Sequence, residues 1–192
     1  MSDRPPKTIY CLGNPGAEYS ATRHNVAWWL ADRLAVRYDL GRFRKEGSAG
    51  IARGEIGGVT VQVVKPYTFM NRSGQLLIGA AEIDQFDLVA DLLVVVDEVA
   101  LEPGRSRFRP GGSAGGHNGL KSVEAALGTT EYARLRIGVG APPPEIDMVE
   151  WVLSPPALPD RAAIMERIEE MVECIAIWAT DGIEMAMNRC NA

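Results

Sequence analysis

Only two histidines occur in the chain, His24 and His117, and each sits in a polar or glycine-rich stretch beside apolar segments. An imidazole, with an ordinary pKa of about 6.5, can take and return a proton near neutral pH if another group orients it. Asp97 is the best orienting partner, because it directly follows the apolar run Leu92 to Val96. Ligands collect beyond the carboxyl ends of strands in open α/β sheets. Glu98 is the alternative, and an Asp after a strand is also a common turn or helix cap. Asn14 in Gly-Asn-Pro-Gly, Asn71 after Phe69-Met70, and Asn118 after His117 form a second set. Each alone reads as a cap or an Asx turn. Brought together, their carboxamides could donate to a carbonyl or a developing oxyanion while accepting from a peptide N–H or a water, as ester hydrolysis on a peptide chain requires.

Other chemistries fit less well. Gly111-Gly112-Ser113-Ala114-Gly115 matches the G-x-S-x-G nucleophile elbow, but the only later histidine, His117, lies four residues on in the same stretch. In that fold the histidine follows at a distance, after an acid. Gly119-Leu120-Lys121-Ser122 breaks the Gly-Lys-Ser/Thr ending of a phosphate loop. Two dispersed histidines supply no His-Glu-x-x-His zinc set. Cys11, Cys174 and Cys190 contain no Cys-x-x-Cys pair and read as unpaired thiols in a reducing compartment.

The elements that must position these groups alternate in type. Thr8 to Leu12 reads as a buried strand ending in the turn Gly13-Asn14-Pro15-Gly16. Trp29, Leu30, Leu34 and Tyr38 recur at helical spacing, with Asn25 as a candidate N-cap. Gly50 to Ile56 and Val59 to Val64 predict a hairpin through Gly57-Gly58. Asn71 to Phe86 is read as a second helix with Leu76, Leu77, Ala80 and Ile83 inward. Leu92 to Val96 has the pattern of a strand buried on both faces. Arg105 to Arg109 reads as an exposed strand, Gly111 to Gly116 as a loop, Gly119 to Leu127 as a helix, and Tyr132 to Val139 as a strand. Ile164, Ile168, Met171, Ile175 and Trp178 mark a long amphipathic helix near the end. Such alternation predicts an α/β fold, a three-layer α/β/α arrangement with a mixed twisted sheet flanked by helices.

With 192 residues and no linker, repeat or low-complexity tract, the chain is expected to form one domain over 1–192. No stretch approaches the roughly 20 apolar residues of a membrane span, and no signal-peptide core precedes the first strand, so the protein is expected in the cytoplasm. The net charge of −5 argues against a polyanionic partner, but the charge is uneven. Arg105 to Arg136 holds six basic and two acidic residues, a balance of +4, leaving −9 on the rest. An acidic body with one basic region could still bind an RNA locally.

Leu12-Gly13-Asn14-Pro15-Gly16 with Tyr19 and Thr22-Arg23-His24-Asn25 resembles the N-terminal signature of bacterial-type peptidyl-tRNA hydrolases. Lys65-Pro66-Tyr67-Thr68-Phe69-Met70-Asn71-Arg72-Ser73-Gly74 resembles the central motif of that family. Asp97-Glu98 through Gly115-Gly116-His117-Asn118-Gly119-Leu120-Lys121-Ser122 resembles its third, and the tail around Trp178, Thr180-Asp181-Gly182 and Asn188-Arg189 is also similar. The resemblance implies hydrolysis of the ester between a peptide and its tRNA, recycling tRNA stranded by aborted translation. It implies His24 as the general base, Asp97 as its orienting partner, and Asn14 and Asn118 as groups positioning the water and the carbonyl. Asn71 would hold the peptide backbone, Met70 would line its channel, and Tyr19 and His117 would join the substrate-binding set. Arg107, Arg109 and Arg136 would contact tRNA phosphates, while helix 158 to 178 and the Gly111 to Gly116 loop would form movable walls over the cleft. No cofactor or metal is implied, and a monomer is expected. Cys11 stands where a glycine is common, Ala27 and Trp28 follow Val26 where a glycine is usual, and Ser113-Ala114 vary the glycine-rich loop. Two rival readings are an RNA-binding protein on the same fold, as in plant relatives with intron-splicing roles, and a small-ester hydrolase that has no use for the basic region.

Overall fold

The computed structural model describes residues 4–191. In chain order the elements are β1 (Lys7–Cys11), α1 (Val26–Arg37), β2 (Arg44–Glu46), β3 (Ala49–Ile56), β4 (Val59–Pro66), α2 (Leu88–Asp91) and β5 (Leu92–Glu98). There follow β6 (Ser106–Arg109), α3 (Asn118–Leu127), β7 (Ala133–Gly138), α4 (Met148–Val152), α5 (Leu158–Asp181) and α6 (Ile183–Cys190). The strands form one sheet in the order β2-β3-β4-β1-β5-β7-β6. Its centre is parallel, with β1 between β4 and β5 and β7 beyond β5, while β2, β3 and β6 run antiparallel to their neighbours.

Alternation along the strands divides the core between the two faces. Ile9, Cys11, Leu93 and Val95 point into one layer with α1, α5 and α6, which contributes Leu30, Ile168 and Trp178. Tyr10, Leu12, Val94 and Val96 point into the other, under α3 and the turns after β4. The three-layer reading of the sequence therefore holds, as do the central strands, the hairpin and the long helix. Gly57 and Gly58, at φ +57° and +79°, supply the left-handed pair that a two-residue hairpin turn requires.

Three local expectations are corrected. Met70–Leu77 and Ala80–Glu82 are tight 3₁₀ turns in place of a continuous helix from Asn71 to Phe86. Leu77 and Ala80 are buried, but Leu76 and Ile83 are 40% and 50% exposed. Gly79 sits at φ +79°, and Gly74 lies so close to α3 that a Cβ there would stand 2.0 Å from the Ser122 carbonyl oxygen. The segment follows the surface of α3 and does not complete α-helical turns. Asn25 does not cap α1 with its side chain, which is engaged elsewhere. Cys174 and Cys190 form a disulfide, and Cys11 alone is free. Gly182, at φ +89°, turns α6 back along α5, and the two cysteines lie equally far along the chain on either side of it.

Asn191, beyond α6, accepts from the Phe108 N–H at 2.7 Å and donates to the Phe108 carbonyl at 3.0 Å, binding the outer edge of β6. Among the described residues no helix is long and apolar enough to cross a membrane.

Candidate active site

Both connections around β1 open a crevice at one end of the sheet. The chain leaves β1 over the face carrying α1 and enters β5 from the opposite face, so the carboxyl ends of these parallel neighbours frame a topological switch point. Asn14 lies just beyond β1, and Asp97 is the penultimate residue of β5.

Asp97, only 3% exposed, gathers both histidines. Its Oδ1 lies 2.8 Å from Nδ1 of His24 and 2.9 Å from Nε2 of His117, and the two rings stand 5.1 Å apart. Burial alone would raise the Asp97 pKa, but the electrostatic pull of His24 and His117 and the hydrogen bonds from both rings outweigh it. The carboxyl is held well below the usual carboxylate range. As an ionised acceptor it fixes the proton of His24 on Nδ1, which leaves the Nε2 lone pair free as a base. Glu98, the alternative partner, is instead paired with Arg136.

His117 is the N-cap of α3, its Nδ1 accepting from the Gly119 N–H at 3.1 Å and the Leu120 N–H at 3.3 Å. Both ring nitrogens are therefore engaged within the protein. The ring itself lines the narrower part of the crevice.

Asn14 is clamped from two sides. Asn25 accepts from its backbone N–H and donates to its carbonyl, both at 2.9 Å. The Asn14 Oδ1 accepts from the Met70 N–H at 2.7 Å. Since that oxygen is committed, the amide N–H₂ is the part left for a ligand. Trp28 donates to the Cys11 carbonyl at 2.9 Å and covers Gly13, where a Cβ would lie 2.6 Å from the indole nitrogen. Trp28 thereby braces the strand end from which Asn14 projects. Burial pushes the Cys11 thiol, despite nearby Lys65, up to about 12, so it is an inert core group.

The crevice has two arms that meet at His24, Asn118, Val149 and Val152. The wider, about 590 Å³, carries Asn14, Tyr19, Met70 and Asn71 on its walls, with the Tyr19 and Phe69 rings in edge contact. The narrower, about 180 Å³, runs past Asp97 and His117 to Arg136 and the loop at Ala114–Gly116. One wall common to both is α4, not the helix 158–178 expected from sequence. Ile164, Ile168, Met171, Ile175 and Trp178 of that longer helix are buried in the sheet-facing core. Arg23, next to His24, anchors the α4 wall. Its guanidinium stacks 3.3 Å from the Trp151 ring, and Nη1 donates to Ser154 Oγ at 2.7 Å and to the carbonyls of Trp151, Ser154 and Pro155.

The sequence of this chain fits one family. The pattern that defines the peptidyl-tRNA hydrolases matches residues 8–192. The chain belongs to that family. A peptidyl-tRNA hydrolase of Symbiobacterium thermophilum is 45% identical over 187 residues, spanning 96% of this chain and 98% of its own. One from Gemmatimonas aurantiaca is 42% identical over 186 residues, 95% and 97% of the two chains. The crystal structure of peptidyl-tRNA hydrolase from Acinetobacter baumannii superposes with a TM-score of 0.89 at 31% identity, covering 100% of this chain and 98% of that one.

The basic region is divided by the fold. Arg105, Arg107 and Arg109 are exposed along edge strand β6, and among the described residues none of the three has an ion pair. Arg107 lines a separate small hollow with Arg105 and Arg167, away from the crevice. Arg134 is fully buried against the Tyr132 ring. Arg136 is tied to Glu98 and donates to the Ser113 carbonyl at 2.9 Å, so it is not a free surface cation.

The sequence marked Arg23 and Asn25 only as part of a signature, with Asn25 as an N-cap; the clamp of Asn25 on Asn14, the anchoring of α4 by Arg23, and α4 itself escaped it. Asp147 offered a signal for α4, because it caps the Val149 N–H at 2.8 Å just before Met148–Val152. Nothing local pairs Asn25 with Asn14, which is brought to it only by the fold.

Proposed function

We infer that this chain hydrolyses the ester joining a peptide, or an N-blocked amino acid, to tRNA, releasing the free carboxylic acid and the tRNA hydroxyl. The observation that carries the mechanism is the buried Asp97 carboxylate holding His24 with Nε2 free at the junction of the two arms. His24 takes a proton from a water as that water adds to the ester carbonyl. Asn14, through its uncommitted amide, and Asn118 donate to the carbonyl oxygen as negative charge develops there. Collapse of the tetrahedral intermediate expels the ribose oxygen, which receives the proton back from His24. Asp97 stabilises the imidazolium formed between these steps. No covalent enzyme intermediate is needed, because an aminoacyl ester is already activated. Ser113, the elbow candidate, instead offers its carbonyl to Arg134 and Arg136.

The wider arm suits a peptide main chain, with Asn71 binding its backbone, Met70 forming the floor and Tyr19 the rim. Main-chain contacts tolerate any peptide sequence. Arg107 and Arg109 contact tRNA phosphates from the edge of the sheet, and Arg136 shapes the narrower arm through Glu98. The whole chain acts as one domain and one monomer in the cytoplasm, where its substrate arises. The disulfide removes the cysteine count as support for that compartment.

Peptide release from an N-blocked aminoacyl-tRNA, compared with the unblocked ester and with the His24→Ala variant, tests this reading. Cleavage of the blocked ester alone, lost in the variant, is expected. Binding of tRNA without cleavage by either protein would favour the RNA-binding alternative.

A further inference from the structure

His117 is the one ionisable group in contact with Asp97 that the proposed reaction does not consume. We propose that His117 is a positioning residue acting through Asp97, an Nε2–H donor whose orientation is set by the first turn of α3. This role rests on the hydrolytic reading of the site but concerns a bond the structure displays directly.

Two backbone N–H groups, of Gly119 and Leu120, converge on Nδ1, which must therefore carry a lone pair. The ring proton then resides on Nε2, 2.9 Å from Asp97 Oδ1. A second proton, on Nδ1, would meet both N–H groups and the positive end of α3 head-on. The same assignment bears on metal binding. The ligand atoms of His24, Asp97 and His117 lie within 4.8 Å of one another, close enough by spacing to share a cation. Nε2 of His117, however, has no lone pair to offer while Nδ1 caps the helix. The cap thus turns a set of potential ligands into a hydrogen-bonded pair of donors on one oxygen.

Sharing that oxygen divides the charge of Asp97 between two rings. His24 is oriented by the carboxylate without receiving its full field. Among the described residues the other titratable or charged groups lining the two arms are Glu98 of β5 and Arg136 of β7, which pair with each other, and Tyr19 and Arg72 in the wider arm, while α4 presents Met148, Val149 and Val152. Removal of the His117 donor should therefore act on His24 mainly through Asp97.

The substitution that separates the two duties is His117→Asn, because asparagine is a favoured N-cap but is too short to reach Asp97. The variant is expected to keep the fold and tRNA affinity, melt above the His117→Ala variant, lower kcat about 10–100-fold, and raise the midpoint of the pH–rate profile by about 0.5–1 unit. His117→Ala should lose thermal stability as well. Imidazole nitrogen NMR on the parent protein at pH 8 gives a readout independent of hydrolysis: the single ring proton of His117 should reside on Nε2 and none on Nδ1. A ring proton on Nδ1 in place of Nε2, or an Asn variant with the parent kcat and pH profile, would overturn the proposal. If the parent shows no hydrolysis at all, the spectra still decide the tautomer, so the two readings fail separately.

Discussion

At the scale of single residues, the site depends on which hydrogen-bonding atoms the protein keeps for itself. Asn14 spends its oxygen on Met70 and keeps its amide, His24 spends Nδ1 and keeps Nε2, and His117 keeps neither nitrogen. The sequence identified all three residues but could not divide their atoms between protein and substrate, because Met70 and Asp97 approach them only through the fold. Asp97 leads to a pH prediction. Its folded pKa is depressed, so its contribution to stability is fully present above the unfolded value of about 3.9 and is lost as pH falls from there toward the folded value. The stability difference between the parent and Asp97→Asn, from urea unfolding, should hold at pH 5 to 7. Below pH 4 it should shrink by about 1.4 kcal/mol per pH unit. A gap unchanged at pH 3 would contradict the depressed carboxyl. At pH 7 the same variant should lose hydrolysis by a factor on the order of 10²–10⁴, since an amide can hold the imidazole in the wrong tautomer.

At the scale of elements, legibility followed periodicity. Leu92 to Val96, the Gly57-Gly58 hairpin and the stripe from Ile164 to Trp178 were legible because a repeat of apolar residues or a glycine pair determines each one locally. Between Asn71 and Phe86 the apolar spacing suggested a helix, but a contact made in space prevailed. Gly74 meets the backbone of α3, and the Gly74 N–H donates to Ser122 Oγ at 2.9 Å. The disulfide escaped for a related reason, since pairing Cys174 with Cys190 requires the reversal at Gly182. Gly74→Ala should therefore force the Met70–Leu77 turns away from α3. A destabilisation of about 1–3 kcal/mol is expected, lowering the melting temperature by about 2–12 °C. Because Met70 and Asn71 begin that segment, KM should rise as well. A variant with the parent melting curve and KM would show that the close approach is unimportant.

At the scale of the whole molecule, charge and fold divide the labour. An acidic body carries a strip of exposed arginines along β6, outside the crevice proposed for ester cleavage. Under the proposed function, anchoring of tRNA and chemistry on its acyl end are separable. Arg107→Ala combined with Arg109→Ala should weaken tRNA binding, raise KM and leave kcat at saturation within about twofold. The slope of log affinity against log salt should flatten by about 2, one for each phosphate that the double variant leaves unneutralised. An unaltered slope would remove these arginines from the RNA-binding surface and favour a small-ester substrate.

The bond pair from Asn191 to Phe108 has a further consequence for that strip. An edge strand offers unpaired N–H and C=O groups that another chain can extend into an intermolecular sheet, the first step toward aggregation. On β6 a single carboxamide occupies both groups of Phe108, while the arginines on either side repel a second copy of the same strand. The other edge, β2, has only three residues, all exposed and charged. The sheet therefore keeps a positive edge exposed while offering little template for self-association.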